Sequence, residues 1–155
     1  MSQGNRGFTL IEVMTVLVIL SVLLGVSIPK YQEVRRKAVA ARVVGSVLAV
    51  RNAAFQFNEA NGAWPPATAA GRVPRVLAPF LPSGFNFRTT DGTLAWQMTT
   101  VRIGRVRRQV GQVQVRPTDA TVCRNVATAL GGSRNPDLTI ACTARGGTVA
   151  LFVDR

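Results

Sequence analysis

The chain begins with an almost uninterrupted run of apolar residues. Between positions 8 and 28, 21 residues contain a single ionisable side chain, that of Glu12. An α-helix rises about 1.5 Å per residue, so this run would reach roughly 31 Å, the thickness of a bilayer's hydrocarbon core. The pattern predicts a transmembrane helix over residues 8–29.

Glu12 distinguishes this run from an ordinary signal peptide or anchor. A secretory signal has a shorter apolar region that ends in small residues, whereas this run closes with the sequence SIPKY. A plain anchor fits the length but contains an acidic group, whose insertion costs on the order of 2.5–3.5 kcal/mol and which is usually functional. A simpler interpretation places Glu12 at the headgroup boundary, with its carboxylate reaching water.

The apolar periodicity continues beyond the membrane-length run. Pro29 lacks an N–H group and clashes with the carbonyl of Gly25, so we expect the helix to kink or loosen there. The helical pattern then extends to Asn61 and Gly62, where glycine favours a left-handed cap. Two sets of residues recur at three- and four-residue steps on roughly opposite sides of this helix: Tyr31, Val34, Ala38, Ala41, Gly45, Leu48, Asn52 and Phe55 form the first face, and Val43, Val47, Val50, Ala54 and Phe57 form the second.

A helix that is apolar on two faces is usually buried on both. A single small head can cover only one of them. We therefore expect the head to cover one face and neighbouring chains to cover the other; the alternative is one wide apolar stripe in ordinary globular packing.

The rest of the chain predicts a small sheet with one short helix. Residues 62–92 are rich in proline, glycine and alanine and predict a long connection, in which Val76, Leu77, Phe80 and Leu81 pack as a short helix or turn. From residue 93 the pattern favours strands at 93–103, 109–117, 137–144 and 147–154, with a basic turn at 104–108. A short helix lies between them, with Thr118 or Asp119 as its N-cap and Gly131–Gly132 as its end. The predicted fold class is α+β: a long N-terminal helix packed on an antiparallel sheet of about four strands.

The amino-acid composition limits the functions that the chain is expected to have. The 155 residues contain 19 Lys and Arg against 7 Asp and Glu, a net charge of +12, and no histidine. The positive charge favours anionic partners, and the missing histidine removes the commonest general base and metal ligand. The sequence contains no nucleophile elbow, phosphate-binding loop, metal-ligand cluster or paired carboxylates, and Asp119, Asp137 and Asp154 are isolated. We expect neither an enzyme nor a cofactor, metal or calcium site.

Two cysteines, Cys123 and Cys142, occur near the C-terminus. Their spacing is too wide for a CxxC redox or zinc pattern. Outside the cytoplasm they should form one disulfide, which would stabilise the fold by roughly 3 kcal/mol. The alternative is a pair of small buried thiols.

The segment RGFTLIEV resembles the processing site of type IV pilins and the related pseudopilins. In that family a membrane peptidase cuts after the glycine that ends a short basic leader and methylates the new amine. The resemblance implies that residues 1–7 are a leader, that cleavage separates Gly7 from Phe8, that Phe8 is N-methylated, and that Glu12 guides assembly. Pro29 falls where the family often has a helix proline, and the implied fold is pilin-like.

The implied roles agree with the charge pattern. No Lys or Arg lies between positions 8 and 28 to neutralise Glu12. Cleavage would create a positive α-amine on Phe8, one helical turn before Glu12 or within reach of a neighbouring chain. An ion pair in a low dielectric requires both partners, so Glu12 would set the height at which each subunit joins.

The charges flanking the helix conflict with the orientation that the family implies. Arg6 precedes the run, whereas Lys30, Arg35, Arg36 and Lys37 follow it, so the positive-inside rule would place the C-terminal side in the cytoplasm. The resemblance implies the reverse: a single pass through a bacterial inner membrane, with residues 30–155 outside the cytoplasm as a head. Within it, 30–61 are the amphipathic half of the helix, 62–92 the connection and 93–155 the sheet region.

The resemblance implies a structural subunit of a filament, most simply a type II secretion pseudopilin. Its partners would be homologous subunits, the prepilin peptidase, an inner-membrane assembly platform and, before assembly, membrane lipid. The alternative is a minor pilin of a pilus or DNA-uptake system. Four arginines suit contacts to nucleic acid phosphates, although they also suit a solvated turn: Arg102, Arg105, Arg107 and Arg108.

Overall fold

A computed structural model describes residues 8–103, 106–143 and 146–153. The chain divides into two compact units, with the boundary between Arg35 and Arg36. The first contains the membrane-length part of the N-terminal helix and the second contains the head.

Helix α1 extends over Leu10–Asn61, 52 residues. It ends where the sequence predicts: Gly62 has φ 70°, and its N–H donates to the carbonyl of Asn58 at 2.7 Å. Only glycine adopts this left-handed conformation at little cost. The sequence WPP that follows prevents the helix from continuing.

Within the described residues, five strands form one antiparallel sheet with the order β1-β2-β3-β5-β4. The strands are β1 (Arg88–Thr89), β2 (Gly92–Ile103), β3 (Val106–Pro117), β4 (Leu138–Thr143) and β5 (Gly146–Val153). The four longer strands confirm the predicted sheet. The fifth, β1, is a two-residue edge strand paired with the start of β2, too short to leave an alternating pattern in the sequence.

The hairpin of β2 and β3 is longer than predicted. Its pairing runs from Gly92 opposite Pro117 to Ile103 opposite Val106, so Arg107 and Arg108 belong to a strand. The prediction of a basic turn over residues 104–108 was wrong in this respect. Within the described residues, strand β5 pairs with β3 from residue 111 to 115, and the distal ends of β2 and β3 form a two-stranded ribbon beyond this pairing.

The core of the head lies between one face of the sheet and one face of α1. The predicted second face supplies Val43, Val47, Val50 and Ala54, each at most 5% exposed. These residues belong to one cluster with sheet residues Leu94, Trp96, Val113 and Val115. The prediction that the head covers one face of the helix is confirmed, since Ala41, Gly45, Leu48 and Asn52 on the first face are exposed.

Helix α2 (Ala120–Ala129) covers the same face of the sheet over β4 and β5. Asp119 is its N-cap: a carboxylate oxygen accepts from the N–H groups of Thr121 at 2.6 Å and Val122 at 3.4 Å. The pKa of Asp119 lies below its ordinary value of 3.8, mainly because the carboxylate accepts the Thr121 N–H bond. The bond from the Val122 N–H and the nearby Arg36 guanidinium lower the pKa further, whereas desolvation of the carboxylate raises it. Gly131, with φ 107°, follows the helix, as predicted.

The connection is held against the sheet by aromatic rings. Trp96 Nε1 donates to the carbonyl of Pro65 at 2.9 Å, and the Trp64 ring lies 6.2 Å from the Trp96 ring. A short 3-10 helix at Arg75–Phe80 confirms the predicted short helix or turn. Leu77 is fully buried, whereas Val76 lies at the surface, 37% exposed.

Candidate processing and assembly site

The predicted processing site lies at the start of α1. Gly7 is outside the described residues, so its place is known only from the sequence. Phe8 follows at the first described position and is 82% exposed. Glu12 lies in the first turn of α1, four positions after Phe8.

Thr9, which the sequence analysis did not single out, caps this helix. The N–H of Glu12 donates to Thr9 Oγ1 at 3.3 Å and to the Thr9 carbonyl at 3.1 Å. A Thr or Ser followed three residues later by Glu is the signature of a capping box. The TLIE sequence contains that signal, which could have identified the start of the helix to within one residue.

The other hydroxyl groups of the apolar segment are satisfied within the helix. Thr15 donates to the carbonyl of Ile11 at 2.8 Å, Ser21 to that of Val18 at 2.7 Å and Ser27 to that of Leu23 at 2.8 Å. A polar group in hydrocarbon has no water to bond with, so such internal bonds make these side chains compatible with a bilayer.

The carboxylate of Glu12 is different. In the part of the chain that the structure describes, no hydrogen bond or ion pair reaches it. Its position in the first turn places it near the positive end of the helix dipole, which favours a negative charge there. Glu12 is therefore the single ionisable side chain among side chains that are otherwise apolar or internally bonded.

Among the described residues, α1 is the one helix that is long and apolar enough to cross a membrane, judged by length and composition. The helix continues without interruption through Pro29, and the space beside Gly25 is open, with nothing within 4 Å of an added Cβ. The kink between these two residues stays a prediction.

The two cysteines that the sequence predicts to pair form a disulfide in the head. Cys123 of α2 and Cys142 of β4 are joined by an Sγ–Sγ bond of 2.05 Å, and Cys123 is completely buried. The bond connects α2 to the outermost strand of the sheet.

The predicted basic patch is placed along the ribbon. Arg102 and Arg107 lie directly opposite each other across β2 and β3, so their side chains leave the same face. Arg108 lies opposite Val101 and points to the other face, while Arg105 is outside the described residues. Three of these arginines are exposed, and in the described ranges none of the three forms an ion pair.

Among the described residues, no group of three or more His, Cys, Asp or Glu side chains lies close enough together to hold a metal ion.

Three proteins named "Type II secretion system core protein G" are similar to this chain. The protein of Klebsiella michiganensis is 30% identical over 90 residues, 58% of this chain and 63% of its own length. That of Escherichia coli K12 is 36% identical over 81 residues, 52% of this chain and 55% of its own length. That of Klebsiella pneumoniae is 36% identical over 77 residues, 50% of this chain and 54% of its own length. The matches thus span between about half and two thirds of these relatives.

No solved structure matches the chain with significant similarity. The family model described as "Prokaryotic N-terminal methylation motif" matches residues 2–28, which contain Gly7, Phe8 and Glu12. The motif, the three similar proteins and the long helix packed on an antiparallel sheet agree with one another, and they support the resemblance of this chain to type IV pilins and pseudopilins.

Proposed function

We propose that this protein is a structural, non-enzymatic subunit of a type II secretion pseudopilus. A prepilin peptidase cuts between Gly7 and Phe8 and methylates the new α-amine. The mature chain waits in the inner membrane, with residues 8–29 in the lipid and the head outside the cytoplasm. An assembly platform then moves it into a filament of homologous subunits.

Glu12 carries this proposal. It is the only ionisable side chain between positions 8 and 28, and its carboxylate has no partner within the described residues. A buried charge without a partner is strongly unfavourable, whereas cleavage after Gly7 supplies a cation one turn away. The α-amine of Phe8, in the same chain or in the preceding subunit, is the partner that the family motif provides.

The exposed face of α1 within the head supports the same proposal. Ala41 and Gly45 lie on the side opposite the core, one helical turn apart, and Leu48 extends the face with 38% of its surface exposed. Small residues let a neighbouring helix approach closely. We propose that neighbouring subunits cover this face in the filament.

The test combines processing with assembly. The full chain would be produced with a prepilin peptidase and a type II secretion assembly system, and filaments sheared from the cells would be analysed by mass spectrometry. We expect polymers whose subunits begin at Phe8 and carry one additional methyl group. Protein that keeps residues 1–7, or a mature protein that stays monomeric in the membrane, would contradict the proposal.

A second candidate function, a nucleic-acid-binding minor pilin, rests on the ribbon. Like charges directly across two strands are destabilising, yet Arg102 faces Arg107 with no carboxylate between them in the described ranges. A two-stranded ribbon of this kind fits the major groove of DNA, and arginines contribute affinity that falls with salt.

Retention of the full chain on immobilised duplex DNA, in detergent and at rising salt, separates the two functions. If the ribbon binds DNA, the double variant Arg102→Gln, Arg107→Gln should elute at clearly lower salt than the wild type. A double variant with the same change in charge elsewhere in the head, Arg75→Gln with Arg124→Gln, is the control. Equal elution of both variants would remove the second candidate.

A further inference from the structure

Strand β4 forms one edge of the sheet. In the order β1-β2-β3-β5-β4, this strand has a neighbour on one side only among the residues that the structure describes. Natural edge strands usually carry lysine, proline or a bulge that discourages further pairing. Strand β4 reads LTIACT over six residues and has none of these features.

The register shows which backbone groups face outward. The N–H of Phe152 donates to the carbonyl of Asp137 at 2.7 Å, and Leu138 lies opposite Leu151. Hydrogen-bonded and non-hydrogen-bonded pairs alternate along an antiparallel ladder. Thr139 and Ala141 therefore bond to β5, while the N–H and C=O groups of Ile140 and Cys142 point away from the sheet. In the described part of the chain, no backbone group bonds to Ile140 or Cys142 from that side.

A groove lies beside this edge. Its volume is about 1030 Å³, and it is bounded by the C-terminal half of α2, the loop after α2 and the side chain of Ile140. Ile140 points to the same face of the sheet as the buried Val149 opposite it and is itself 40% exposed. A strand added beside β4 would place every second side chain into this groove.

The charge of the groove indicates which kind of partner would bind there. Arg124 and Arg134 both line it, both are exposed, and in the described ranges neither forms an ion pair. No Asp or Glu is among the described residues of the lining. The β4 strand of a second copy carries no carboxylate that could meet these arginines, and nucleic acid cannot pair in register with a strand edge.

We propose that the β4 edge and this groove form a docking site for an extended acidic segment of a partner protein. The segment adds a sixth strand antiparallel or parallel to β4 through the backbone groups of Ile140 and Cys142. Its alternate side chains enter the groove, where carboxylates meet Arg124 and Arg134. Backbone bonds supply affinity and the groove supplies specificity, as in other cases of strand addition. The head alone carries this inference, which does not depend on processing at Gly7 or on the machine in which the chain works.

The probe is a fluorescein-labelled peptide that alternates valine and glutamate, with the full chain in detergent micelles. We expect saturable binding by fluorescence anisotropy. Hydrogen exchange should slow at the amides of Ile140 and Cys142 and stay unchanged at Thr139 and Ala141, which already bond to β5. A version of this peptide should not bind if methyl groups replace the backbone N–H hydrogens on the edge that would face β4.

Two variants test the groove and the edge. Arg134→Glu should weaken binding about tenfold, because like charges at an interface are costly, whereas Arg108→Glu, the same change on the distant ribbon, should leave it within about twofold. Ile140→Pro removes an outward N–H, which an edge strand tolerates, and should abolish binding, whereas Ile140→Val should preserve it.

Several results would overturn the proposal. One is an equal loss of peptide affinity in Arg134→Glu and Arg108→Glu. Others are binding of the N-methylated peptide, and binding of the original peptide without slower hydrogen exchange at the Ile140 and Cys142 amides. A valine–lysine peptide that binds as tightly as the valine–glutamate peptide would also contradict the proposal. Protection of the two amides that rises with protein concentration in the absence of peptide would assign the edge to a second copy instead.

Discussion

Gly111 lies against the six-membered ring of Trp96. A Cβ atom placed on Gly111 would stand 2.6 Å from Cζ2 of that ring, closer than packed carbon atoms approach. The ring cannot easily move away, because Trp96 is completely buried and its Nε1 donates to the Pro65 carbonyl at 2.9 Å. Glycine occupies position 111 because the tryptophan needs the space.

Gly111→Ala should therefore destabilise the head by about 1–3 kcal/mol, the usual cost of overpacking a core. Chemical denaturation of the full chain in detergent measures this through tryptophan fluorescence, since both tryptophans lie in the head. Gly45→Ala is the control: nothing lies within 4 Å of its added Cβ, and the helix should gain up to about 1 kcal/mol. Equal stabilities of the two variants would show that the ring does not need this space.

Asp119→Ala should reduce stability at neutral pH by about 1 kcal/mol, because the first turn of α2 loses its cap. The folded-state pKa of Asp119 is lowered by its bonds to the Thr121 and Val122 N–H groups and by Arg36. The contribution is therefore complete above the ordinary pKa of 3.8 and is lost as the pH falls through the lowered value. Unfolding free energies of both proteins should converge in strong acid.

The control for this pH dependence is Asp137→Ala, which removes an exposed carboxylate and should change stability by no more than about 0.5 kcal/mol. A gap between the wild type and Asp119→Ala that stays constant down to strong acid would contradict the cap assignment.

Removal of the Cys123–Cys142 bond should cost about 3 kcal/mol, as expected for a loop with a sequence separation of 19. The double variant Cys123→Ala, Cys142→Ala should unfold at lower denaturant, and reductant should lower the wild-type midpoint without moving that of the variant. The bond does not form if reductant leaves the denaturation midpoint of the wild type unchanged and two thiols react in the unfolded chain.

Gly7→Leu should leave an uncut precursor in the membrane, because the proposed peptidase site requires a small residue before Phe8. Gly4→Leu places the same side chain three positions earlier in the leader and should be cut normally. Intact-mass measurement of the two proteins, each produced with the peptidase, distinguishes them. Normal maturation of Gly7→Leu would contradict cleavage at this bond.

Glu12→Ala should be cleaved after Gly7 yet enter filaments poorly, because the Phe8 amine loses its partner. Glu12→Asp keeps the charge on a shorter side chain and should recover part of the assembly. The amount of each mature protein in sheared filaments, relative to the membrane, is the readout. Undiminished assembly of Glu12→Ala would show that the pairing is unnecessary.

Local patterns were sufficient to predict the long helix, its end at Gly62 and the four longer strands, and they limited the cap of α2 to Thr118 or Asp119. Each of these depends on residues close in sequence: the 3.6-residue period, glycine at a left-handed position, alternation along a strand, and an aspartate before a helix. The candidate site was predicted from the motif at positions 7–12, and the TLIE capping signal could have been read there as well.

Other features depend on pairing between distant segments, which no local pattern encodes. The face of α1 that the head covers was decided by the sheet against which Val47 and Val50 pack. Register and strand order determine three further features. These are the strand position of Arg107, the space for Trp96 beside Gly111 and the position of β4 at the edge of the sheet. Local chemistry can specify an element and its ends, whereas the neighbours of that element are chosen by which apolar surfaces fit together across the whole chain.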